Sequence, residues 1–68
     1  MRDINRLDDF YNELKFLHKK YFPDWRFGQM LMNFQHWCYL VKKISDIFYL
    51  EEDEFLFYFN KYIEEKQN

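Results

Sequence analysis

Residues 46–55, DIFYLEEDEF, set five carboxylates among five apolar side chains. The fold turns on whether those acids gather at a metal, share a proton or begin a helix. Carboxylates hold a cation only where their oxygens converge. Glu51, Glu52, Asp53 and Glu54 are consecutive, and on a helix consecutive side chains fan out by about 100° each. In a first helical turn the same acids lie beside unpaired amides and the positive end of the macrodipole, a contribution of about 0.3–1 kcal/mol apiece. Glu51 or Asp53 can accept those amides directly, and Glu54 can reach back in the manner of a capping box. The stretch therefore reads as the start of a helix. An acidic docking edge of Glu51, Glu52 and Asp53, offered to a basic partner, is the second reading. A calcium loop is disfavoured, because the oxygen-ligand spacing and the glycine of an EF-hand are absent.

Downstream of this start, Phe55, Tyr58, Phe59, Tyr62 and Ile63 follow helical spacing and predict a third helix over about 51–65. Upstream, WRFGQMLMNFQHWCYLVKKI at residues 25–44 carries the stripe Phe27, Met30, Leu31, Phe34, Trp37, Cys38, Val41 and Ile44, a second helix over about 25–44. Asp24 is expected to cap it, and Lys42 and Lys43 to sit at its negative end. The first helix, about 3–21, follows from Ile4, Leu7, Phe10, Tyr11, Leu14, Leu17 and Tyr21. Lys19 and Lys20 occupy its last turn, and Pro23 stops it. Nothing alternates long enough for a strand. Three helices joined by short loops imply an all-α, antiparallel three-helix bundle, one domain over residues 1–68. IFYL at 47–50 is expected to be a brief extended piece, with Phe48 inserted into the bundle as a plug.

Sixty-eight residues bury only about 60% of the surface their unfolded chain exposes, so stability demands large core side chains. Nine Phe, six Tyr and two Trp supply them, giving an aromatic-rich core. The single cysteine, Cys38, cannot close an intramolecular disulfide, and no Cys/His spacing resembles a zinc site. With no apolar signal region and no apolar run long enough to cross a bilayer, the expected setting is cytoplasmic, away from the membrane. A net charge of −2 argues against non-specific nucleic-acid binding as the main activity. No cofactor and no metal are expected.

RFGQ at 26–29, Asn33 one turn on, and DIFYLEEDEF before a terminal helix together resemble small helical proteins of bacteria and their phages. That family shows an Arg-x-Gly-Gln segment followed by an Asp-x-Phe-Tyr-x-Glu-Asp-Asp-Glu-like one. The likeness covers residues 21–60, with Glu52 where the pattern has Asp. It implies a compact helical domain from a mobile element, working in a bacterial host, and no reaction.

Arg26, Gln29, Asn33 and His36 lie within about 80° of one another on the second helix. This polar stripe either borders the core, with Arg26 paired to an acid, or is a hydrogen-bonding face for a protein backbone or nucleic-acid edges. His18, beside the first helix's apolar stripe, is expected to be half-buried and hydrogen-bonded rather than catalytic. His36 and Cys38 face different ways, so they form no nucleophile pair. Cys38 reads as a small core hydrophobe. Gly28, inside an early helical turn, costs about 1 kcal/mol against Ala, offset by a tight helix entry or by a close backbone approach, within the chain by default or from a second chain.

Phe16, Met32, Tyr39 and Phe57 each fall more than about 120° from their helix's core stripe. Together they amount to several hundred Å² of apolar surface, the scale of an interface. The expected function is therefore a non-catalytic protein-binding module using these four residues, the polar stripe and the acidic rim. Its partner is a protein or a second copy of the chain. The resemblance adds an inhibitor of a host defence machine, of the anti-CRISPR kind. The alternative is a regulatory domain that reads nucleic acid through the stripe, and after it a structural homo-oligomer. An enzyme is disfavoured for want of convergent catalytic groups.

Overall fold

The computed structural model describes residues 2–67. Its helices are α1 (Arg6–Tyr21), α2 (Phe27–Val41) and α3 (Glu52–Gln67), with a 3₁₀ turn at Ile47–Tyr49 and no strand among the described residues. The chain is an all-α three-helix bundle in which α1 and α2 both pack on α3. Contacts between α1 and α3 advance in the same sense. Arg6 meets Glu52, Phe10 meets Phe55, and Phe22, just past α1, meets Phe59 and Tyr62. Between α2 and α3, Phe34 meets Phe55, Phe59 and Tyr62, Trp37 meets Tyr62, and Leu40 and Val41 lie beside Tyr62 and Lys66.

The core is aromatic, as the composition demands, and Phe34 is its hub. Its ring is inaccessible to solvent and lies 4.9 Å from Phe55, 5.1 Å from Phe59 and 5.8 Å from Tyr62. The Phe55 and Phe59 contacts are edge-on, the geometry that brings a ring's positive rim to its neighbour's negative face. Met30, Trp37 and Cys38 from α2, Leu14 and Leu17 from α1, Phe22 just past it, and Ile63 from α3 complete the buried set.

Local chemistry explains where the helices begin and end. At α3, Glu54 Oε1 accepts the Glu51 amide at 3.0 Å, the backward half of a capping box, and Asp53 accepts the Glu54 amide at 2.9 Å. The opening stretch is thus a helix start. At α1, Asp3 accepts the Asn5 amide while residues 3–5 form a tight turn, so the helix begins at Arg6 and leaves Ile4 exposed. Asp24 does not cap α2. The Trp25 amide bonds the Phe22 carbonyl, closing a turn with Pro23 second and Asp24 third, a favoured place for proline. The helix then waits until Phe27, with Arg26 at its cap position, no side-chain cap bond and no acid in its first turn.

The far end of α2 also stops early. Lys43 takes a left-handed backbone conformation (φ 61°) and folds the Ile44 amide back onto the Cys38 carbonyl, which already accepts the Lys42 amide. Lys42 and Lys43 are therefore beyond the helix rather than in its last turn, and Val41 is left exposed. Phe27 and Tyr11, also expected in the core, are more than half exposed, on the rims of their stripes. Phe48 is not a plug. Asp46 accepts the Phe48 amide at 2.9 Å and sets a 3₁₀ turn in place of an extended piece. The turn directs Ile47 toward the core and leaves Phe48 80% exposed.

Truncating the hub tests this account of the core. Phe34→Ala should cost about 3–5 kcal/mol, read as a lower urea midpoint, a large share of the about 5–15 kcal/mol that holds a domain together. Supplying the missing cap, Arg26→Asp should gain about 1 kcal/mol and raise Tm by about 4–8 °C.

Candidate partner-binding face

Four large off-stripe side chains were expected at the surface, and all four are there. Phe16, Met32, Tyr39 and Phe57 are each more than half exposed. Only Met32 and Tyr39 line a common depression, however. Phe16 and Phe57 lie opposite the buried residues of α1 and α3, and each is overlaid by a lysine of its own helix, Lys20 at 5.5 Å and Lys61 at 5.6 Å. Such a lysine lays its hydrocarbon stem along the ring and its charge over the ring face, which covers apolar area without a partner.

Met32 and Tyr39 do come together, with Gln35, His36 and Ser45, around a depression of about 190 Å³. Two further depressions of about 240 Å³ adjoin it. One is lined by Tyr39, Leu40, Lys43 and Ser45. The other lies between α2 and α3, lined by Asn33, His36, Trp37, Leu40, Val41, Tyr62 and Lys66. Shared walls at His36, Tyr39 and Leu40 join the three into one surface over the outer side of α2 and the turn after it. Met32, Tyr39, Leu40 and Val41 are its exposed apolar members.

The polar stripe borders this surface. Arg26, Gln29, Asn33 and His36 are all exposed, and among the described residues their side chains make neither a hydrogen bond nor an ion pair. The expected pairing of Arg26 with an acid is not seen. Asn33 and His36 enter the depressions; Arg26 and Gln29 lie toward the other end of the helix, outside them. Gly28 is open: a methyl group placed on it would meet nothing within 4 Å. Packing inside the chain therefore does not explain this glycine.

Sequence reasoning missed Leu40, Val41, Lys43 and Lys66. Leu40 was legible, one turn beyond His36 on the same side of the helix. Val41 was not, because its exposure depends on the left-handed turn at Lys43.

The acidic edge has a different character. Arg2 Nη2 meets Glu51 Oε1 at 2.6 Å, and Arg6 Nε meets Glu52 Oε1 at 2.7 Å. The Arg6 hydrogen bond holds the Glu52 carboxyl below its ordinary range despite some desolvation. Two of the three edge acids are thereby neutralised within the chain, and Asp53 bonds its own helix start. They line an open cleft of about 630 Å³ between α1 and α3, floored by Phe10 and Leu56 and shared with Asp9 and Glu13. Among the described residues, no three His, Cys, Asp or Glu side chains group so as to hold a metal.

His18 is half-buried and donates Nε2–H to the Trp25 carbonyl at 2.7 Å, fastening the turn after α1. Cys38 is fully buried, and burial pushes its thiol up to about 11. No described helix is long and apolar enough to cross a membrane.

Compared with protein-family models, curated proteins and solved structures, the chain finds no match.

The buried thiol makes stability fall with alkali. Folded Cys38 keeps its proton to about 11, whereas the unfolded thiol loses it near 9.0. In that interval the unfolded state binds fewer protons, so the thiol's contribution is whole below pH 9 and lost by pH 11. Burial raises the Tyr62 hydroxyl in the same direction. Urea midpoints measured across this range should drop, less steeply in Cys38→Ala, and a thiol reagent at neutral pH should label the chain only after unfolding.

Proposed function

We propose that this chain is a non-catalytic protein-binding module that docks through the outer side of α2. The observation that carries the reading is the gathering of Met32, Tyr39, Leu40 and Val41 at the surface around three adjoining depressions. A solvated helix face does not need them, and apolar contacts ringed by polar groups are what interface cores are made of. The unpaired side chains of Asn33 and His36 supply hydrogen-bonding groups at the rim. Gly28, with open space where a side chain would stand, leaves room for a partner to approach the backbone closely.

Inhibition of a host defence machine by a phage or mobile-element protein is the biological setting that the RFGQ and DIFYLEEDEF resemblance suggests. It enters this proposal on that ground alone. Blocking a larger machine by occupying one of its surfaces asks nothing more of the inhibitor than a docking face.

A tagged copy should retain a specific host protein, and Met32→Asp with Tyr39→Asp should release it while leaving helicity and Tm unchanged. Phe57→Asp, on the opposite side of α3, should retain it. Loss of the partner by the Phe57 variant alone would move the docking face elsewhere and defeat the proposal. For the inhibitor role, expression in a host with an active nuclease defence should restore phage plating, and the double variant should not.

A further inference from the structure

We infer that the segment this face receives is acidic and amphipathic, a stretch of a partner protein with apolar anchors flanked by Asp or Glu. The inference rests on the docking reading above and adds the chemistry of what docks. Lys43 lines one depression and Lys66 another, and Lys42 holds its ammonium 5.7 Å over the Trp37 ring. Among the described residues none of these three lysines pairs with a carboxylate, a state they share with Lys15, Lys19, Lys20 and Arg26; what sets them apart is their place beside the depressions. No Asp or Glu lines any of the three depressions. Lys43 donates to the Leu40 carbonyl and Lys66 lies over the Tyr62 ring, contacts that place the charges without neutralising them, so positive charge rims an apolar surface and like charges brought against it are repelled.

Trp37 contributes an apolar wall to this surface. It lines the depression between α2 and α3, and its Nε1 is the only buried side-chain polar atom without a partner among the described residues. Such donors are rare in folded proteins because the lost hydration is not replaced. That donor has no access to solvent, so it belongs to the wall of the depression and not to its contact surface.

Phosphates are also anionic, yet the apolar members favour a protein. Three of the four exposed apolar members, Met32, Leu40 and Val41, are aliphatic and Tyr39 alone is a ring, whereas single-stranded nucleic acid is held by successive rings on which bases stack. Residues 2–13 and 51–54 carry eight of the twelve carboxylates and only two of the ten basic side chains. A polyanion long enough to pass from the lysines to that end would be repelled there.

The test is an NMR titration of the ¹⁵N-labelled chain with two synthetic peptides of about 18 residues, sharing Leu and Phe at i, i+3, i+4 and i+7. One carries Glu at its remaining positions and the other Lys. The acidic peptide should shift amides of residues 32–45, weaken by about tenfold or more in high salt as screening predicts, and bind Lys43→Glu/Lys66→Glu as poorly as the Lys peptide binds the native chain. Equal binding of the two peptides would leave the docking face standing and overturn its charge preference. Binding of neither would overturn both. A thymidine oligonucleotide shifting the same amides would assign the face to nucleic acid. Sedimentation of the chain alone as an oligomer dispersed by Tyr39→Asp would assign it to a second copy, and either result would also overturn the inference.

Discussion

The bundle depends on one insertion. Phe34 projects from α2 into the row Phe55, Phe59 and Tyr62 on α3, and all four rings lose contact with water in whole or large part. In a chain this small no other cluster is large enough to offset the entropy of ordering it. The α1 side joins the same row through Phe10 against Phe55 and Phe22 against Phe59. Because α3 offers one continuous ridge to both neighbours, it is central by packing although last in sequence. Trp25, stacked on Phe22 at 4.5 Å, ties the first chain reversal to that ridge.

The same packing brings distant charges together. Alignment of α1 with α3 sets the acid-rich starts of both helices side by side, and Arg2 and Arg6 bridge the gap to Glu51 and Glu52. Each acid favours its own helix start. Two starts at one end of the bundle concentrate negative charge there, while Lys42, Lys43 and Lys66 gather around the surface that follows α2. A net charge of −2 conceals this polarity. Local helix chemistry, repeated in two elements and then aligned, has produced a directional surface field.

The proposed docking face follows from how α2 is used. One side of this helix is consumed by the aromatic row, and the helix is cut short by the left-handed residue Lys43. Apolar residues continue around its other side without a fourth element to cover them. The contrast with Phe16 and Phe57 is instructive, since those rings are tended by Lys20 and Lys61 of their own helices. Exposure of a large side chain is therefore weak support for an interface by itself. What distinguishes Met32, Tyr39, Leu40 and Val41 is that shared depressions join them.

How much was legible follows from the range of the forces involved. Periodicity placed three helices and the buried residues Leu14, Leu17, Met30, Phe34, Trp37, Cys38, Phe59, Tyr62 and Ile63, because each helix records its buried side in its own spacing. The consecutive acids at 51–54 announced the start of α3 for the same reason: capping is settled within one turn of chain. Asp24 misled, since a Pro-Asp turn and a helix cap draw on the same residue and only the turn closed by Trp25 decides between them. Phe48 misled because a 3₁₀ turn, unlike a long helix, carries no periodicity to set its phase. Residue spacing settles the helices, the centres of their inward sides and the four off-stripe hydrophobes, though not the rims, where Ile4, Tyr11, Phe27 and Val41 are exposed. Tertiary structure decided which of the four off-stripe hydrophobes meet, which acids are neutralised and which lysines stand unpaired, because these depend on distances between elements that sequence spacing does not encode.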